Sequence, residues 1–170
     1  DLFTQDRLGY NGETFKIWKF RSMTNCIDEN GALKDDEFRL TRFGKLLRDW
    51  SIDELPQLWN VVIGDMSLIG PRPFIAEYAS RYTAEQMRRH EVRPGISGWA
   101  QITGRNSLSW NQKFTLDVWY VDHCSFMLDL KILLSTVPIV LNRAGVTADN
   151  HVTMPKWTGN DTPEKSTPSK

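Results

Sequence analysis

The chain has 170 residues, with 21 Lys+Arg set against 21 Asp+Glu, so its formal net charge is zero. That length suits one domain with a real core, and the charge balance excludes a global field directed at nucleic acid or anionic lipid. Two cysteines, Cys26 and Cys124, lie far apart and outside any CxxC pair; they read as free thiols in a reducing compartment, with a single bridge as the alternative.

In chain order, Leu2 to Leu8 and Thr14 to Phe20 are β-prone runs separated by Gly9-Tyr10-Asn11-Gly12. Turn chemistry between two such runs predicts a β-hairpin. Its second strand ends among cations, with Lys19 and Arg21 on one face and Lys16 on the other. Ser22 to Asp36 is polar and reads as a loop. From Phe38 the apolar residues Leu40, Phe43, Leu46 and Leu47 recur at helical spacing. Arg39, Arg42, Lys45 and Arg48 form a basic stripe on that helix. Such a stripe is most often a solvated face, but this one ends beside a pair of carboxylates.

The pair is Asp53-Glu54, within Arg48 to Asn60. Ser51 followed three residues later by Glu54 matches a capping box and predicts a helix N-terminus. Pro56 then falls too deep in the helix. Either the helix kinks there, or Asp53 is itself the cap and Pro56 lies in the first turn. Capping alone would account for these residues. A helix start would also hold Asp53 ionised and receive phosphate.

Gly64, Gly70, Pro71 and Pro73 predict a rigid, irregular loop that aims Arg72. A planar guanidinium binds phosphate in fork geometry. Phe74 to Arg81 and Ala84 to His90 read as short helices, the second capped by Thr83 with Gln86. Arg93 to Asn106 interleaves Gly95, Gly98 and Gly104 with Arg93, Pro94, Gln101, Arg105 and Asn106. It matches neither standard nucleotide-binding glycine motif. Its glycines allow close backbone approach to a ligand, and its polar side chains suit phosphate or base. Ser109 with Gln112 opens an amphipathic helix. Leu128 to Leu141 is apolar nearly all round, with Pro138 expected to kink it. Its apolar run from Ile132 is shorter than the roughly 20 residues that span a bilayer. A polar tail, 151–170, completes the chain and is expected to be disordered.

The histidines have no metal-ligand spacing, and no serine triad motif occurs. Paired carboxylates and scattered arginines suit Mg²⁺ and phosphoryl transfer. The prediction is therefore an α+β fold: a mainly helical single domain with an N-terminal β-hairpin and several short amphipathic, membrane-surface helices. The domain that would carry this chemistry is expected to span residues 1–150.

Five blocks then sharpen the reading: Lys19 to Met23, Arg48 with Asp53 to Asn60, Gly64 to Pro73, Arg93 to Gln101, and Gly104 to Asn106. In this order they resemble the bacterial sugar transferases, the monotopic phosphoglycosyl transferases. The resemblance implies transfer of a phosphosugar from a UDP-sugar to undecaprenyl phosphate, releasing UMP. It implies Asp53 as nucleophile of a covalent phosphosugar intermediate, with Glu54 as its partner in binding Mg²⁺ or handling protons. It makes Lys19, Arg48 and Arg72 phosphate ligands. Arg93, Pro94, Gly95, Gln101, Gly104, Arg105 and Asn106 take nucleotide or structural roles. Downstream glycosyltransferases follow as partners, and nucleic acid does not. The family acts at the cytoplasmic face of the bacterial inner membrane, anchored by an N-terminal re-entrant helix. The chain opens instead on the polar run Asp1 to Arg7, so taken alone it is expected to behave as a soluble fragment. The competing readings are a Mg²⁺-dependent nucleotide-sugar hydrolase and a non-catalytic membrane-surface module.

Overall fold

The computed structural model describes residues 1–104, 107–141 and 157–160. The hairpin forms as expected. Strands β1 (Leu2–Leu8) and β2 (Thr14–Phe20) pair antiparallel, Leu2 opposite Phe20 and Leu8 opposite Thr14. Asn11, at φ 54, takes the left-handed turn position that asparagine tolerates.

The helix expected from Phe38 is broken. Helix α1 (Asp36–Arg39) stops at an extended Leu40, and α2 (Arg42–Asp49) starts afresh where the Thr41 side chain accepts from Gly44 N at 2.8 Å. Gly44 is required there. A Cβ would run into the backbone of Ser22, over which α2 passes.

Pro56 settles the next segment. Ser51 caps no helix: at φ 55 it is the left-handed residue that terminates α2, its N–H donating to Arg48 O at 3.0 Å. Ile52–Glu54 form a single 3-10 turn, and α3 runs only from Gln57 to Val62. Neither Ser51 nor Asp53 makes a capping bond, so the expected capping box is absent. Pro56, immediately before α3, costs no helical hydrogen bond because first-turn N–H groups have no partner.

Two strands arise where irregular loops were expected. Strand β3 (Ser67–Ile69) lies parallel to β4 (Gly95–Ser97), Ser67 opposite Gly95 and Ile69 opposite Ser97. Both are three residues long, too short to show a period-two pattern. Between them come a 3-10 helix (Ala76–Arg81), α4 (Ala84–Met87) with the expected Thr83–Gln86 capping box, and a 3-10 turn (Arg88–His90). Then follow α5 (Trp99–Thr103), α6 (Trp110–His123) with the expected Ser109–Gln112 box, and α7 (Phe126–Leu141). Helix α7 begins two residues earlier than its apolar pattern suggested and runs through Pro138.

Among the described residues the core has two buried clusters. One joins Ile69, Tyr120 and Ile132; the other joins Tyr78, Phe114 and Trp157 with Phe74, Tyr82 and Trp110 around them. Trp157, read from sequence as part of a polar tail, is thus a buried core residue. Helix α7 buries Ile132, while Phe126, Met127, Leu134 and Leu141 are all more than 60% exposed. Among the described residues, no helix is long and apolar enough to cross a membrane.

Candidate functional site

One buried asparagine carries the acidic pair to the hairpin. Asn60 accepts from Trp18 N at 3.1 Å and donates to Lys16 O at 2.8 Å, as a neighbouring strand's backbone would. This pins α3 against β2. The preceding 3-10 turn is thereby brought beside the end of β2, where Lys19 Nζ donates to Glu54 Oε1 at 2.9 Å.

Arg72 arrives from the opposite side. It sits between two prolines, which have no N–H to anchor the segment. The chain is held by its carbonyls instead: Gly95 N donates to Pro71 O at 3.0 Å, Arg89 Nη2 to Arg72 O at 2.6 Å, Arg7 Nη1 to Pro73 O at 3.3 Å and Leu8 N to Phe74 O at 3.1 Å. Four successive carbonyls are satisfied from three parts of the fold. The aimed guanidinium forks onto Glu54, Nη1 donating to Oε2 at 3.3 Å and Nη2 to Oε1.

The adjacent carboxylates have opposite electrostatics. Burial alone would raise Glu54, but Arg72 and then Lys19 override it and hold its carboxyl far below the usual range. Asp53 is raised, first by burial and then by the charge on Glu54, with Lys19, Arg48 and Arg72 pulling the other way. The expected helix-start stabilisation of Asp53 does not operate, because α3 begins four residues later. Asp53 is 8% exposed, and its carboxylate makes no hydrogen bond among the described residues. Burial lowers Lys19, against the pull of Glu54.

Beside this cluster lies an amphipathic cavity of about 150 Å³. Ser51, Glu54, Arg72, Ser97, Gln101 and Thr136 line it together with the apolar Leu55, Leu58, Ile96, Ile102, Ile139 and Val140. The buried Gln101 Oε1 has no hydrogen-bond partner. Around the cavity, Leu55 and Leu58 are about half exposed.

The other sequence candidates separate clearly. Arg48 donates to Ser22 Oγ at 2.9 Å and acts on Asp53 through charge. Of the basic stripe, Arg39 pairs with Asp36 and Lys45 with Asp49. Pro94 and Gly95 are buried in the β3–β4 pairing, and a Cβ on Gly95 would strike Gly70 N. Close approach in this block therefore serves backbone packing. Gln101 lines the cavity, whereas Arg93 is exposed and Gly104 follows the end of α5. Arg105 and Asn106 lie outside the described residues.

Magnesium takes oxygen ligands and often only one or two protein carboxylates, with phosphate and water completing its shell. Among the described residues, no group of three His, Cys, Asp or Glu side chains could enclose a metal ion. Asp53, with no hydrogen-bond partner, fits the role of one such carboxylate; Glu54 is already engaged by two cations.

Sequence reading missed the pair Arg89–Asp117, 1% and 3% exposed at their side chains and 2.7 Å apart. The available signal was Asp117 on the apolar face of α6, between Phe114 and Tyr120. An acid in such a stripe requires a partner.

The bacterial sugar transferase family model matches residues 1–143. The chain is 57% identical over 158 residues to the uncharacterized sugar transferase EpsL of Bacillus subtilis, covering 93% of this chain and 78% of that protein. It is 41% identical to the UDP-N-acetylgalactosamine-undecaprenyl-phosphate N-acetylgalactosaminephosphotransferase of Aeromonas hydrophila, over 85% of this chain and 36% of that one. Identity to the UDP-glucose:undecaprenyl-phosphate glucose-1-phosphate transferase of Klebsiella pneumoniae is 39%, over 80% and 31%. The chain thus spans most of EpsL but about a third of the length of the two larger relatives. The matched segment contains the hairpin, the acidic pair and the Arg72 loop, and the chain belongs to the bacterial sugar transferase family.

Proposed function

We propose that this sugar transferase moves a phosphosugar from a UDP-sugar to undecaprenyl phosphate, and that Asp53 is its nucleophile. An Asp53 oxygen attacks the β-phosphorus, and the bond to the bridging oxygen breaks, so UMP leaves. An oxygen of the acceptor phosphate then attacks the aspartyl-bound phosphorus. The acyl phosphate bond breaks and returns the carboxylate, leaving undecaprenyl-diphosphate-sugar. A carboxylate nucleophile divides one difficult transfer into two easier steps.

The observation that carries this reading is the division of labour within the pair. Glu54 is locked by Lys19 and Arg72, while Asp53 keeps an unpaired carboxylate inside the same field of cations. A diphosphate reaching Asp53 meets Lys19, Arg48 and Arg72, whose charges suit the developing negative charge of phosphoryl transfer. Asp53 and the substrate's phosphate oxygens would hold Mg²⁺, which would supply further charge neutralisation, while Glu54 stays engaged by Lys19 and Arg72. The relatives' names support UDP-sugars and undecaprenyl phosphate as substrates. Exposed apolar side chains on α3 and α7, with the amphipathic cavity between them, support a lipid acceptor approached from a membrane surface.

The test is UMP release from a panel of UDP-sugars with polyprenyl phosphate and Mg²⁺, together with intact mass measured without acceptor. A phosphosugar adduct in the wild type and its absence in Asp53→Asn are expected. Full activity in Asp53→Asn would overturn the covalent route, and sustained UMP release without acceptor would identify a hydrolase.

A further inference from the structure

We infer that Arg89 and Asp117 are the positioning couple for Arg72: the buried ion pair fixes the Arg72 carbonyl and so sets the guanidinium on the acidic pair. Arg89 is held on three sides. Its Nε and Nη2 donate to Asp117 Oδ2 at 3.1 and 2.7 Å, and its guanidinium carbon lies 4.2 Å from the Phe74 ring centroid. The same Nη2 donates to Arg72 O at 2.6 Å. One nitrogen thus joins a carboxylate on α6 to the backbone of the Gly-Pro-Arg-Pro loop.

A buried arginine can serve packing alone, and three observations point beyond that. Arg89 bonds to the residue whose side chain forks onto Glu54, rather than to a distant turn. The flanking prolines make the carbonyls the segment's main handles, and the Arg89 bond is the shortest of those four carbonyl contacts. Lys113, one turn before Asp117 on the same helix, also lies in the field of Arg72. Helix α6 therefore bears on the Arg72 loop through Asp117 without lining the cavity. A positioning error of about 1 Å is enough to cost a large factor in rate.

The geometric inference concerns Arg72 on Glu54 and holds whatever the substrate; its expected effect on turnover rests on the function proposed above. The experiment uses the whole chain with ¹³C-labelled glutamate. The Glu54 carboxyl is followed by NMR against pH in wild type, Arg72→Ala, Arg89→Lys and Asp117→Asn, with melting temperatures recorded alongside. Displacing Arg72 removes a cation from Glu54, so Glu54 is expected to titrate at higher pH in all three variants, most in Arg72→Ala. Neither Arg89→Lys nor Asp117→Asn adds a further shift when combined with Arg72→Ala. Loss of stability by itself would leave the Glu54 titration of the folded state unmoved.

Should Asp117→Asn fail to fold, Arg89→Met with Asp117→Leu removes both charges together, which buried pairs often tolerate. Folded variants with an unmoved Glu54 titration would overturn the inference. So would a shift of equal size in the Arg72→Ala background. Where UMP release is measured, kcat/KM falls about 10- to 100-fold in Arg89→Lys, with little extra loss in the Arg72→Ala background. If no UDP-sugar is turned over by the wild type, the functional reading fails and the titration still decides the positioning.

Discussion

Two arginine–carboxylate pairs meet at Arg72, one through its guanidinium and one through its carbonyl, and they differ in their access to solvent. Arg72 and Glu54 have side chains 41% and 17% exposed, at the edge of a cavity. Arg89 and Asp117 are 1% and 3% exposed, with the Arg89 guanidinium against the Phe74 and Phe114 rings. The chemistry of the pair is the same in both places; access differs. At the cavity, the cation that binds Glu54 can also meet an incoming phosphate. In the core, no substrate can compete, and the pair acts as a fixed strut. Breaking it should be costly, because a buried charge without its partner loses solvation and receives nothing in return.

That contrast predicts different kinds of damage. The largest effect is on activity: Arg72→Ala lowers kcat/KM about 100- to 1,000-fold while moving stability by about 1 kcal/mol or less. Arg89→Ala damages stability as well as activity, costing about 3–5 kcal/mol in chemical denaturation. Gly95→Ala tests the other support of the loop. Its new methyl must displace the backbone of Gly70, an overpacking cost of about 1–3 kcal/mol, read as a lower melting temperature.

A smaller effect concerns pH. Burial and the neighbouring Arg89 depress buried His90 to about 4, although it bonds Gly9 O at 3.0 Å. In the unfolded chain it titrates near 6.5. The unfolded state therefore binds more protons between these values. The stability due to neutral His90 is complete above about pH 6.5 and is lost as pH falls toward 4. Between pH 7 and 5 the wild type is expected to lose about 2 kcal/mol more than His90→Asn. Equal losses in urea titrations would show that His90 is not the group responsible. The smallest change is in a pH–rate profile. Glu54 raises Asp53, so Glu54→Gln should shift the acid limb of kcat/KM to lower pH, provided turnover stays measurable.

The legible parts of the site share one property. Lys19, Asp53, Glu54 and Arg72 each stand in a local pattern whose chemistry is readable: a strand end, an acidic pair, a proline-bounded loop. The hairpin and the two capping boxes were readable for the same reason, since turns and caps are local. The roles within the site were not. The expectation that Lys19 and Arg72 stand ready for phosphate omitted Glu54, which already engages both. Strands β3 and β4 escaped notice because they are defined by each other across 25 intervening residues, rather than by their own periodicity.

The sequence by itself determined the two strands of the hairpin, the N-termini of α4 and α6, the place of the acidic pair and the family resemblance. These depend on interactions within a few residues, or on motifs that survive as strings. Tertiary structure alone decided that Ser51 ends one helix instead of beginning another, that Trp157 is core, and that Arg89 reaches the Arg72 carbonyl. It also decided which carboxylate is locked and which is unpaired. Asp53 and Glu54 are neighbours in sequence, and only the direction from which Lys19 and Arg72 arrive distinguishes them.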